Sequence, residues 1–119
     1  MLSPRPHVLL LTSAARLAQA ITLDLQLVVT VHVAADVAAG LRTLVGVRGF
    51  SGFLIHEPLM KDAAPFVEEA RRLHPNAALV VLSSSTRSAV AARARKLGAL
   101  LLREASDRGA LLEALRLSL

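Results

Sequence analysis

At 119 residues the chain has the length of one domain, and a fold of this size buries roughly two-thirds of the surface its unfolded chain exposes, so no covalent or metal staple is needed. Hydrophobic residues make up 54%, mostly Leu, Ala and Val, with three Phe and no Tyr, Trp or Cys, which excludes disulfides, thiol nucleophiles, thiolate metal sites and most base-stacking surface. The net charge of +5 sits mainly in residues 83–119, which carry seven Lys/Arg against three Asp/Glu, a balance that fits either a polyanionic partner or simply an arginine-rich composition.

Met1 to Pro6 leads into only a short apolar run, less than a secretory signal or a membrane span requires, so a cytoplasmic chain without a membrane segment is expected. His7 to Leu11 is continuously apolar, as in a strand buried on both faces of a parallel sheet. Thr12 and Ser13 end it, and Ser13 is the expected helix N-cap. Ala14, Leu17, Ala18 and Ile21 then share one helical face, with Arg16 and Gln19 opposite. Leu27 to Val33 reads as a second strand and Ala34 to Val45 as a helix with Val37, Leu41 and Leu44 on its stripe. Gly46 and Gly49 break the chain before Phe53-Leu54-Ile55, the third strand.

A loop from His56 to Lys61 follows, and Asp62 is the expected cap of a third helix, with Pro65 in its first turn and Phe66, Ala70 and Leu73 facing inward. His74-Pro75-Asn76 stops that helix. Ala78 to Leu82 is a fourth strand ended by Ser83-Ser84-Ser85. Thr86 to Leu97 is a fourth helix burying Val90, Ala94 and Leu97, with Gly98 at its C-cap. Ala99 to Leu102 is the fifth strand, and Ser106 or Asp107 opens a last helix burying Leu111, Leu112, Leu115 and Leu119. Strands alternating with helices imply right-handed crossovers and a three-layer α/β/α domain over residues 1–119. Five such units suit a flavodoxin-like parallel sheet of order 2-1-3-4-5.

In such a sheet ligands bind beyond the carboxyl ends of the strands, here Thr12-Ser13, His56-Glu57, Ser83-Ser84 and Arg103-Glu104-Ala105. No glycine-rich loop follows the first strand, so neither a dinucleotide fingerprint nor a phosphate cradle is present, and no cofactor is expected. The four histidines show no ligand spacing, so no metal is expected either. Ser83 to Ser85 with Thr86 offer hydroxyls without a histidine base placed by sequence, which favours a strand end and a helix cap over a nucleophile.

Five features nevertheless carry a resemblance over essentially the whole chain: the polar pair Thr12-Ser13, the strand end His56-Glu57 with its loop and the helix Val67 to Leu73, the His74-Pro75 turn into Leu79 to Ser83, the Leu97-Gly98-Ala99 helix end, and the closing Leu111 to Leu115. The chain resembles the receiver domains of two-component response regulators. The resemblance implies an acidic pair after the first strand and an aspartate after the third, which bind Mg²⁺ and accept a phosphoryl group. Here Thr12 and Ser13 stand for the pair, and His56 or Glu57, depending on register, for the acceptor. A gap-free count from Ser83 puts the family's lysine at Ala105 and its proline at Ser106, while the switch aromatic falls on Leu102. Only the hydroxyl after the fourth strand survives, as Ser83.

Without the acids, the metal and the lysine, nothing neutralises charge in a phosphoryl-transfer transition state. A degenerate receiver is therefore expected, not an enzyme, signalling through protein contact with a partner or output domain. Glu57 reads either as a solvated carboxylate or as a standing mimic of a phosphorylated acceptor. The resemblance implies docking or homodimerisation around Arg93, Lys96, Leu102, Arg103 and the last helix, where Leu117 is either an exposed contact or a frayed end. Two alternatives stand beside this: a phosphorelay receiver with an unconventional acceptor such as His56, and a basic nucleic-acid-binding or scaffolding accessory. Arg87, Arg93, Arg95 and Lys96 scatter around their helix instead of forming one stripe, and no aromatics are interleaved, which weighs against nucleic acid.

Overall fold

A computed structural model describes residues 5–85 and 87–117. In chain order it contains β1 (His7–Leu11), α1 (Ala15–Leu25), β2 (Thr30–Ala34), α2 (Val37–Gly46), β3 (Phe50–His56), a 3-10 helix (Glu57–Asp62), α3 (Ala64–Leu73), β4 (Ala78–Ser83), α4 (Ser88–Lys96), β5 (Leu100–Arg103) and α5 (Arg108–Ala114). The five strands form one parallel sheet in the order β2-β1-β3-β4-β5, as the alternation of strands and helices predicts.

The period-2 alternation of strand side chains divides the core in two. Leu9, Leu11, Phe53, Ile55 and Val81 face α2, α3 and α4, where Leu44, Phe66, Ala70, Val90 and Ala94 complete a buried layer. Val8, Leu10, Leu54, Val80 and Leu82 face α1 and α5, against Ile21, Leu25, Leu111, Leu112 and Leu115. Both faces are covered, which is why the strands read as unbroken apolar runs. Gly52 lets α5 sit close: a Cβ there would lie 2.5 Å from a methyl of Leu115.

Several boundaries move from their sequence-based positions. β2 starts at Thr30, and Leu27 stands 72% exposed in the turn before it. β-branched residues alone do not make a strand where no partner lies alongside, and pairing with β1 begins at His7↔Thr30. β3 starts earlier, at Phe50, because the pairing His7↔Phe50 extends it past a register shift that precedes Gly52. Ser13 does not cap α1; the Thr12 hydroxyl instead accepts the Ala14 N–H at 3.0 Å. Asp62 does not cap α3 either, since the loop expected over 56–61 is a 3-10 helix running into Ala63. Capping is done by Asp36, which accepts the Ala39 N–H at 2.7 Å, and by Asp107, which accepts that of Ala110 at 2.9 Å. Thr86 and Leu119, read above as parts of helices four and five, lie outside the described residues.

Two helix ends use the same closure. After α4, Gly98 (φ 74°) and Ala99 donate to the carbonyls of Arg95 and Ala94. After α5, Arg116 takes the glycine position at φ 58°, and Arg116 and Leu117 donate to Glu113 and Leu112. In that closure the residue after the left-handed one turns back onto the helix, so Leu117 is half-buried against the α1/α5 core. It is neither an exposed contact nor a frayed end.

Candidate functional site at the carboxyl edge of the sheet

Three strand ends meet in one hydrogen-bonded chain. Thr12, just past β1, is 2% exposed, and its Oγ1 lies 2.9 Å from Nδ1 of His56, the last residue of β3. The other ring nitrogen, Nε2, lies 3.0 Å from Oε2 of Glu104, just past β5. With the imidazole neutral and Glu104 ionised, Nε2 must carry the proton and donate to the carboxylate. Nδ1 then accepts from the Thr12 hydroxyl, whose oxygen in turn accepts the Ala14 N–H. Both ring nitrogens and the threonine hydroxyl have partners, as the buried part of such a network requires.

The backbone explains why these side chains converge. His56 pairs with Leu82 and Ser83 with Arg103, so the ends of β3, β4 and β5 are level. The Glu104 N–H donates to the Ser83 carbonyl at 3.1 Å, adding one rung beyond β5 and aiming the Glu104 side chain across β4 at His56. Ser83 is 2% exposed, and its hydroxyl accepts the Ser85 N–H at 2.9 Å.

Of the residues singled out in the sequence, the structure brings Thr12 and His56 together and seats Ser83 beside them. At the end of β3, His56 is the last strand residue and Glu57 begins the 3-10 helix. Glu57 turns to Arg93 on α4, at 3.8 Å, a distance at which a half-exposed pair contributes little. Ser13 is exposed and Ala105 is exposed in the turn after β5, so neither enters the network. On the outer surface Arg93, Arg95, Lys96 and Arg103 are exposed, while Leu102 is half-buried on the α5 side.

Glu104 is named in the sequence only as part of the strand end Arg103-Glu104-Ala105, while Ala105 is taken for the pocket. The gap-free count from Ser83 passes it by one position. A signal was nonetheless present, since no other acid occurs between Glu69 and Asp107.

A second histidine group lies at the opposite end of β1. His7 Nδ1 and His32 Nε2 are 2.9 Å apart across β1 and β2, and both rings meet Phe50 edge-on. Burial, and then the neighbouring His7, hold the pKa of His32 below its usual value. His74 accepts the Phe50 N–H at 3.2 Å and packs edge-on against the Phe50 ring. Among the described residues, no three His, Asp or Glu side chains are grouped to hold a metal ion. No described helix is long and apolar enough to cross a membrane.

This architecture is that of CheY-like response-regulator receiver domains. The Vibrio cholerae chemotaxis protein CheY4 superimposes with a TM-score of 0.80 at 21% identity, covering 95% of this chain and 98% of that one. CheY6 from R. sphaeroides, solved in complex with the P1 domain of CheA3, gives 0.78 at 25% identity, with 96% of each chain covered. A Burkholderia pseudomallei response regulator gives 0.79 at 21% identity over 92% of this chain and 66% of that one, and its structure carries a phosphorylated aspartic acid and a calcium ion. No family model matches the sequence. No curated protein matches it either.

The carboxylate set that the receiver resemblance implies for Mg²⁺ does not fit the residues present. Mg²⁺ takes hard oxygen donors in near-octahedral geometry, usually including one or two carboxylates. Here Thr12 is neutral, His56 offers an imidazole, and the one carboxylate of the network is bound to that imidazole.

Proposed function

We propose that this domain is a degenerate receiver that works in signal transduction through protein contact, without accepting a phosphoryl group. One observation carries the reading: His56, in the acceptor position, has both ring nitrogens committed, to Thr12 and to Glu104. A nucleophilic imidazole needs one free nitrogen aimed at an incoming donor, and this side chain is only 13% exposed. The same fact weighs against His56 as an unconventional acceptor. The side chain arriving from the end of β5 is the acid Glu104, which cannot neutralise a developing phosphoryl charge as a lysine would.

The docking surface in this reading is the outer face of α4 and the adjoining β5 edge, with Arg93, Arg95, Lys96 and Arg103 exposed. Its chemistry suits a partner or output domain with an acidic surface. A cytoplasmic, non-enzymatic role belongs to the same reading.

The test is an amide NMR titration with Mg²⁺ followed by beryllofluoride, which mimics the phosphoryl group. We expect the resonances of Thr12, His56, Ser83 and Glu104 to stay in place. Saturable shifts at those positions, or stoichiometric Mg²⁺-dependent phosphorylation by a small phosphodonor, would overturn the reading.

A further inference from the structure

The two edges of the sheet are treated differently. β5 is short, ends in Arg103 and lies beside the basic α4, so charge guards it against pairing. β2 has no such guard. Residues 25–35, which contain it, include no Lys, Arg, Asp, Glu or Pro. Val33 on the strand is 47% exposed, and nearby Leu23 on α1 is 58% exposed. Together with Ala15, Ala18 and Thr22 they line an open groove of about 510 Å³ beside the edge.

The backbone fixes what this edge can hold. Thr30 donates its N–H to the Pro6 carbonyl, and the Ala34 carbonyl accepts the Thr12 N–H, so Thr30, His32 and Ala34 direct their polar groups toward β1. By alternation, Val31 and Val33 direct both N–H and C=O outward from the sheet. An edge of this kind takes another strand.

We infer that β2 pairs antiparallel with β2 of a second copy of this chain, about a two-fold axis through His32. The strand suits itself. In that register Val31 of one copy and Val33 of the other exchange both backbone hydrogen bonds, and His32 meets His32 between them. A two-fold perpendicular to the sheet keeps the α1 sides together, so the outward valines of one copy lie beside Val33 and Leu23 of the other. No like charges meet on the strand, and His32 is held toward its neutral form by burial and by His7. A two-fold across β5 would instead set the two basic faces of α4 against each other. The ten-stranded sheet that results leaves the α4 and β5 surface of each copy free, so this pairing stands independently of the proposed function.

The experiment is sedimentation velocity over a concentration series of the full chain, together with amide hydrogen exchange read residue by residue. A reversible dimer is expected, with protection of the Val31 and Val33 amides rising with concentration. Val33→Lys places a charge on the edge and should raise the dissociation constant roughly tenfold or more. Val33→Pro removes one outward donor without touching the bonds to β1, and should do the same while leaving the far-UV CD spectrum and melting temperature of the monomer near those of the parent. A chain that stays monomeric at millimolar concentration would overturn the inference. So would a dimer in which Val31 and Val33 exchange freely and protection appears around α4 and β5 instead.

Discussion

Replacing His56 by aspartate, the residue type that the receiver resemblance implies at the end of β3, is predicted from the structure to destabilise this domain. The His56 imidazole donates to Glu104 at 3.0 Å. In His56→Asp the shorter side chain would bring two carboxylates to about 5 Å, where an effective dielectric of about 20 gives a repulsion of about 3 kcal/mol. Glu104 is 33% exposed, so solvent screening reduces that to about half. The lost hydrogen bond to a charged group adds about 1.5 kcal/mol. A loss of about 3 kcal/mol at neutral pH is therefore expected, a large part of the stability of a domain this size.

The companion change, Glu104→Lys, loses the same hydrogen bond and turns an ammonium toward the imidazole, costing about 1.5 kcal/mol. In the double variant an aspartate faces an ammonium, opposite charges in place of a neutral imidazole and a carboxylate, and the cycle should show a favourable coupling of about 2 kcal/mol. Urea unfolding followed by far-UV CD is the suitable assay, since the chain has neither Trp nor Tyr to report by fluorescence. Single variants within about 0.5 kcal/mol of the parent, or a cycle additive to within about 0.5 kcal/mol, would show that His56 and Glu104 are not paired in solution.

Arg116→Gly should stabilise the fold by about 0.5–1 kcal/mol, because a glycine relieves the left-handed φ of 58° while the exposed bond from Arg116 to the Asn76 carbonyl contributes little; thermal melts should show an upward shift of about 3 °C. Asp36→Ala removes the cap of α2 and should cost about 1 kcal/mol in urea unfolding. His32 makes stability fall in mild acid. Its folded pKa lies below the unfolded value of 6.5, first from burial and then from His7, so the unfolded chain binds the proton more readily. The contribution is fully present above pH 6.5 and is lost as pH falls through the folded value, so His32→Gln should flatten the slope of unfolding free energy against pH in that window.

The fold was legible because β1, β4 and the Phe53–Ile55 part of β3 are apolar on both faces and the helices show buried stripes, as a covered parallel sheet requires. The errors have physical causes. Leu27 to Val29 read as strand from their side chains, but pairing with β1 starts at Thr30, and a strand is defined by its partner. Phe50 to Gly52 were left out of the third strand because Gly46 and Gly49 break the chain ahead of it, whereas β1 lies alongside to receive them. At the site, Thr12, His56 and Ser83 were visible as polar residues ending apolar runs. Glu104 was named only within the end of the fifth strand, because counting along the chain cannot say which residue after a strand's last rung turns inward. That is decided by the bond from its N–H to the Ser83 carbonyl, a contact across two strands. Arg116 was equally hidden, since a left-handed residue is legible from sequence mainly when it is a glycine.

The Thr12–His56–Glu104 chain spans β1, β3 and β5, passing over β4 at Ser83, and so ties together the carboxyl ends of strands that are not all neighbours. Bridging such ends is a task for a divalent cation where several carboxylates meet, because their mutual repulsion must be neutralised. Here the imidazole donates to a single carboxylate, so no second negative charge has to be offset, and the threonine hydroxyl satisfies the remaining nitrogen. A bridge of this kind is formed as soon as the chain folds and depends on no ligand. Under the proposed function, the loops after β1, β3 and β5 are then held in one arrangement, and the basic surface of α4 and β5 is presented continuously to its partner. Regulation of such a module would act on the availability of the partner or on the pairing of β2, and not on the strand-end site.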